Sequence, residues 1–111
     1  MKLTKLVALL LVVCMTACMF ISCKTQDDGK LKIGILQLAP HEALDAATEG
    51  FKQVLVEEFG EENVEFIFVN AQGDSNACTS AITNFVSQKV DLIMANATPA
   101  LQAAVKSTTG I

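Results

Sequence analysis

From residue 31 onward the apolar positions of this 111-residue chain switch repeatedly between two periods. Leu31-Lys32-Ile33-Gly34-Ile35-Leu36-Gln37-Leu38 is a short apolar run with β-branched residues, followed by turn chemistry at Pro40. Such a run predicts a buried strand. Between Glu42 and Phe59 the apolar residues Leu44, Ala47, Phe51, Val54, Leu55 and Phe59 recur every three or four positions. Glu49, Lys52, Glu57 and Glu58 fill the other side. This predicts an amphipathic helix that stops at Gly60. Residues 64–69 (VEFIFV) predict a second strand. Asp74 or Ser75 can cap a second helix, which sets Ala77, Cys78, Ala81, Ile82, Phe85 and Val86 on one face. Residues 91–95 predict a third strand. Thr98 at the cap and Pro99 at the first helical position, where a missing N–H costs nothing, predict a third helix through Lys106. Thr108-Thr109-Gly110 breaks it, and Ile111 has the character of a fourth strand's first residue.

The order β-α-β-α-β-α-(β) implies parallel strands joined by right-handed crossovers. The expected fold class is α/β, a parallel sheet with helices on both faces. Residues 31–111 would form one incomplete lobe of it, since the pattern stops where another strand is due. No repeat of 20–50 residues interrupts the pattern.

The first 30 residues obey a different pattern. Lys2 and Lys5 precede an apolar run at 6–13 (LVALLLVV), and Phe20-Ile21-Ser22-Cys23 then opens onto a polar stretch at 24–30. The apolar segment from 6 to 21 is shorter than the ~20 residues a spanning helix needs. A basic start, an apolar core and a small residue before the cut describe an export signal. A Cys directly after that small residue is the pattern of a bacterial lipoprotein, whose cleaved N-terminal Cys carries lipid. We therefore assign 1–22 to a signal peptide, Cys23 to lipidation and 23–30 to a flexible tether. Ala17-Cys18 is a second candidate cut, disfavoured because Met19-Phe20-Ile21 after it is still apolar. An unlipidated secretory signal is the other alternative. The expected location is the extracytoplasmic face of the bacterial cell membrane.

Charge and cysteines narrow the functions. Removal of the first 22 residues leaves 89, with 6 Lys and 12 Asp and Glu, a net charge of −6. That balance argues against nucleic acid and against polybasic binding to anionic lipid. Of four cysteines only Cys78 stays in the folded part, which leaves it no intrachain partner. A buried apolar role suits it best. One His (His41) and one Cys do not make a zinc or iron site, so no metal is expected. Neither G-x-G-x-x-G nor G-x-x-x-x-G-K-[ST] occurs, and no cofactor is expected.

In open parallel sheets, ligands bind beyond the carboxyl ends of the strands. Three segments qualify: 37–41, 70–74 and 96–99. Each is followed by a helix N-terminus, which attracts carboxylates through free N–H groups and the helix dipole. The candidate ligand-binding residues are Gln37, Leu38, His41, Asn96, Ala97, Thr98 and Pro99, with Gln72 and Asp74 as secondary candidates. For Asp74 the competing role is a plain helix cap, and for Thr98 a cap that also lines the site. For His41 it is a surface position beside a helix start. No catalytic residue is expected.

Three tracts resemble a known family. They are Lys32-Ile33-Gly34-Ile35 running to His41, with Ala43-Leu44-Asp45-Ala46-Ala47 and Gly50-Phe51; Asn70-Ala71-Gln72-Gly73-Asp74; and Val90-Asp91-Leu92-Ile93 to Ala97-Thr98-Pro99-Ala100. They resemble the start of ABC-transporter substrate-binding proteins of the tryptophan/tyrosine-type group, which have the type I periplasmic-binding-protein fold. The resemblance implies an N-terminal lobe that captures a small amino-acid-like solute against a second lobe and delivers it to permease subunits. It implies no chemistry on the solute. The alternative from another class is an exported α/β enzyme of flavodoxin-like or hydrolase type. A nucleophile elbow or a phosphate loop would favour that, and neither occurs in these residues.

Overall fold

The computed structural model describes residues 1–17 and 28–109. The lipidation candidates Cys23 and Cys18, most of the tether, and the fourth strand expected at Ile111 lie outside the described residues. Helix α1 (Lys2–Ala17) carries exposed Leu6, Leu9, Leu10 and Leu11. No helix among the described residues is long and apolar enough to cross a membrane.

The folded part runs β1 (Leu31–Gln37), α2 (Glu42–Phe59), a single 3-10 turn (Glu61–Asn63), β2 (Val64–Asn70), α3 (Ser75–Ser87), β3 (Leu92–Asn96) and α4 (Thr98–Thr108). The three strands are parallel in the order β2-β1-β3. The connection from β1 to β2 steps one way across the sheet, and that from β2 to β3 steps back over β1. Right-handed crossovers then require the helices on opposite faces, and the packing agrees. Ile33, Ile35 and Val64 pack with Phe51, Leu55 and Val56 of α2. Leu36 packs with Cys78, Ala81, Ile82 and Phe85 of α3 and with Ala100 and Ala103 of α4.

Period-two alternation along β1 thus divides the core in two, as a central strand covered on both sides must. Gly34 falls on the α3 side because the approach there is very close. A Cβ on it would lie 2.6 Å from Cδ2 of Phe85, whose ring is wholly buried. At the start of the sheet the Lys32 N–H donates to Oδ2 of Asp91 at 2.8 Å, and the Asp91 N–H donates to the Lys32 carbonyl at 2.8 Å. This exchange pins the register of β1 against β3.

The predicted face of α3 is buried as expected. The predicted face of α2 is only partly right. Phe51 and Leu55 pack on the sheet and Leu44 is half-buried, but Ala47, Val54 and Phe59 are exposed, and polar Thr48 lies buried in the seam. Amide side chains beneath that seam demand a hydroxyl there. Thr98 also differs from expectation. It is the first residue of α4, not its cap, and Ala97 occupies the capping position. Asn96 is still the last residue of β3, so only one residue separates strand from helix.

Candidate functional site

The helix after β1 covers one face of the sheet and the helix after β3 covers the other, although β1 and β3 are neighbours. Their outgoing chains therefore part at the carboxyl ends, the switch point at which an open α/β sheet forms its crevice. In open α/β sheets this switch point is where ligands bind. Register places Gln37 beside Asn96 on one side and beside Asn70 on the other, so three amides end the three strands.

The loops above them are tied to one another. Leu38 N–H donates to the Asn96 carbonyl at 3.2 Å and Ala71 N–H to the Gln37 carbonyl at 2.9 Å. Gly73 N–H donates to the Leu38 carbonyl at 2.7 Å, which joins the second loop to the first. Asn70 Oδ1 accepts from Gln72 N–H at 3.0 Å, and Gln72 takes a left-handed φ of 54°.

The three helix N-termini differ. His41 caps α2, its Nδ1 accepting from Ala43 N–H at 3.1 Å, and Glu42 and Asp45 already stand in the first turn. Asp74 caps α3, accepting from Asn76 N–H at 2.8 Å. Helix α4 has no side-chain cap and no acidic residue in its first turn. It begins from Ala97 at φ 94°, ψ 156°, a region almost reserved for glycine. Its first N–H groups keep their partial positive charge for whatever arrives.

The expected site residues fall into two layers. His41, Thr98, Gln72 and Asp74 are exposed, and Leu38, Ala97 and Pro99 are half-buried, all on the loops and helix starts at the carboxyl ends of the strands. Gln37 and Asn96 lie directly beneath, at 0% and 8% exposure, with their amides turned inward and not toward the rim. Gln37 Nε2 donates to Asp45 Oδ1 at 2.6 Å and to the Ala39 carbonyl at 2.9 Å, while its Oε1 accepts from Thr48 Oγ1 at 2.8 Å. Asn96 Nδ2 donates to Thr48 Oγ1 at 3.0 Å and to the Leu44 carbonyl at 2.9 Å. Thr48 and Asp45 are the participants that sequence reasoning missed. The signal was a Thr at the centre of the apolar spacing Leu44, Phe51, Leu55, one turn after Leu44. Among the described residues no three His, Cys, Asp or Glu side chains are grouped to hold a metal ion. Cys78 is buried in the core between α3 and the sheet, where burial first and the Asp74 carboxylate second push its thiol pKa up.

A family model described as ABC transporter substrate binding protein matches residues 32–111. The chain belongs to that family. Its members bind substrates and are not enzymes, which removes the enzyme alternative. A tyrosine-binding protein of Clostridioides difficile (strain R20291) is 40% identical over 90 residues, covering 79% of this chain and 26% of that protein. Two solved structures are similar. One is the ligand-free, open form of a substrate-binding protein with adhesive properties from Clostridium difficile. It is 44% identical with a TM-score of 0.68, over 72% of this chain and 28% of that one. The other, from Streptococcus pneumonia, is in complex with L-Trp. It is 32% identical with a TM-score of 0.69, over 73% of this chain and 28% of that one. The chain thus spans about a quarter of the length of these relatives.

Proposed function

We propose that this chain supplies the first lobe of an exported, lipid-anchored solute-binding protein of an ABC importer. Its solute is a small amino acid, aromatic ones foremost, which the protein carries to permease subunits. Residues 1–22 serve as signal peptide, Cys23 as lipid carrier and 23–30 as tether to an extracytoplasmic membrane face. The observation that carries the solute reading is the topological switch point between β1 and β3 with an uncapped helix at its edge. An amino-acid carboxylate finds free N–H donors at the start of α4, around Thr98 and Ala100. Hydrogen bonds to a charged group contribute on the order of 1.5–3 kcal/mol. Leu38, Ala97 and Pro99 offer apolar contact, His41 stands across the crevice, and Gln72 and Asp74 border it. Kinship with a tyrosine-binding protein and with a protein solved with L-Trp supports this choice of solute. A second lobe would bury the side of the solute that these loops leave wet.

Calorimetric titration of the full-length protein with L-tyrosine and L-tryptophan tests the reading, with Thr98→Asp as the decisive variant. A carboxylate in the first turn stabilises a helix by about 0.3–1 kcal/mol. The same carboxylate occupies the place of the solute's own. The expected outcome is an unchanged or raised melting temperature together with at least a tenfold loss of affinity. A Thr98→Asp protein that binds like the parent puts the solute elsewhere.

A further inference from the structure

We infer that Thr48 and Asn96 are positioning residues for the solute site: through α2 they hold the Ala97 corner from which α4 presents its N–H groups. The inference rests on the solute reading above. Asn96 is the residue immediately before that corner. Its Nδ2 has two protons, and both are used, on the Leu44 carbonyl at 2.9 Å and on Thr48 Oγ1 at 3.0 Å. The two acceptors stand four residues apart on α2, so the amide is fixed in rotation as well as in position. Thr48, 2% exposed, passes its own proton on to Gln37 Oε1 at 2.8 Å. Gln37 in turn holds the first loop through the Ala39 carbonyl and reaches Asp45 in the first turn of α2.

One hydroxyl therefore joins the ends of β1 and β3 to α2, and it does so under the rim residues on both sides of the crevice. No buried side-chain nitrogen or oxygen among the described residues is left without a partner. A backbone held at φ 94° in a residue with a side chain persists only where its surroundings over-determine it. The doubly bonded Asn96 amide supplies that constraint from one side, and its backbone carbonyl, accepting from Leu38 N–H, supplies it from the other. If the amide network were only a source of stability, relaxing it would lower the melting temperature and leave affinity alone. If it sets the corner, the N–H groups of α4 move off their aim and affinity falls first.

The experiment uses the full-length protein with L-tyrosine and L-tryptophan as probes. Thr48→Val keeps the shape and removes both hydrogen bonds of the hydroxyl. Thr48→Ser keeps them. Ile82→Val trims the core on the opposite face of the sheet, far from the amides, and reports what destabilisation alone does. The expected result is a roughly tenfold weaker Kd for Thr48→Val, or about 1.4 kcal/mol. Thr48→Ser should bind within about twofold of the parent, and Ile82→Val should match it. The backbone amide resonances of Ala97 and Thr98 should shift in solute-free Thr48→Val and not in Ile82→Val. Thr48→Ala, which leaves room for a bridging water, replaces Thr48→Val if the latter does not fold. A Thr48→Val protein with parental affinity overturns the inference, as does an Ile82→Val protein that loses affinity equally. Thr98→Asp run alongside separates the two levels. If it loses the probe while Thr48→Val keeps it, the site stands and the positioning role falls. If Thr98→Asp keeps the probe, or if neither amino acid binds the parent, the site falls and the inference with it.

Discussion

A methyl group added at Gly34 would enter the ring of Phe85, with 2.6 Å between its carbon and Cδ2. The ring is fully buried against β1 and cannot swing out without opening the α3 side of the core. Overpacking of this kind costs about 1–3 kcal/mol. Gly34→Ala should therefore lower the unfolding free energy by that amount, seen as a lower denaturant midpoint, and Phe85→Leu in the same chain should restore part of the loss. Equal midpoints for Gly34→Ala and the parent would mean that the two elements pack more loosely. Cys78 is a second residue whose surroundings settle its chemistry. Burial, helped by the Asp74 carboxylate, raises its thiol pKa, so the folded state favours the protonated form. The linked stability is fully present below the unfolded thiol's pKa and is lost as pH rises from there through the raised folded value. Stability should accordingly fall above about pH 9. Iodoacetamide at neutral pH should spare the Cys78 peptide in the native protein and label it in denaturant, read by mass spectrometry.

At the scale of elements, capping distinguishes one helix from the others. His41 and Asp74 close α2 and α3 with side-chain acceptors, and His41→Ala should cost about 0.5–2 kcal/mol while His41→Asp should not. Helix α4 has neither cap nor acidic first turn, and it starts from a strained alanine. Strain of that kind is worth about 1–3 kcal/mol, against roughly 0.5–1 kcal/mol for the extra unfolded-state freedom of glycine. Ala97→Gly should thus raise stability by about 1 kcal/mol in urea unfolding. A fall in stability would show that the corner is relaxed. Helix α2 carries the reverse lesson. Its apolar spacing predicts a face that includes Val54 and Phe59, yet Phe59 ends the helix in solvent and Val54 is 62% exposed. The seam instead follows Leu44, Thr48, Phe51 and Leu55, because the amides of Gln37 and Asn96 need a hydroxyl above them and desolvation without one is costly.

At the scale of the molecule, the chain spans about a quarter of the length of its relatives, and the proposed function assigns the other face of the solute to a second lobe. Residues 24–111 alone should bind L-tyrosine and L-tryptophan at least a hundredfold more weakly than the full-length protein. Micromolar binding by the piece in calorimetry would move the site or the domain boundary. The proposed lipid anchor has its own test. Cys23→Ser should release the exported protein from the membrane fraction of the native host, and Cys18→Ser should leave it there. The opposite pattern would place the lipid on Cys18.

The sequence by itself determined the elements and their order. Apolar periods of about two and 3.6, Gly60 at the end of α2 and Asp74 before α3 are local signals, and local signals fix local conformation. The α/β class with parallel strands follows from that alternation, and three motif tracts in order carried the family. The loops at the carboxyl ends were legible as a rim because sheet topology alone locates them. What only the tertiary structure decided is which side chains face out. Gln37 and Asn96 sit at loop junctions where an amide usually meets solvent or ligand. They turn inward because β1 and β3 are adjacent and α2 crosses above them, bringing Thr48 to within 3.0 Å of both. The sequence separations involved, 11 between Gln37 and Thr48 and 48 between Thr48 and Asn96, exceed the reach of any periodic pattern. The unassisted start of α4 was hidden for a related reason. Thr98 satisfies every local rule for a cap, but β3 keeps its pairing with β1 through Asn96 and leaves the cap position to Ala97.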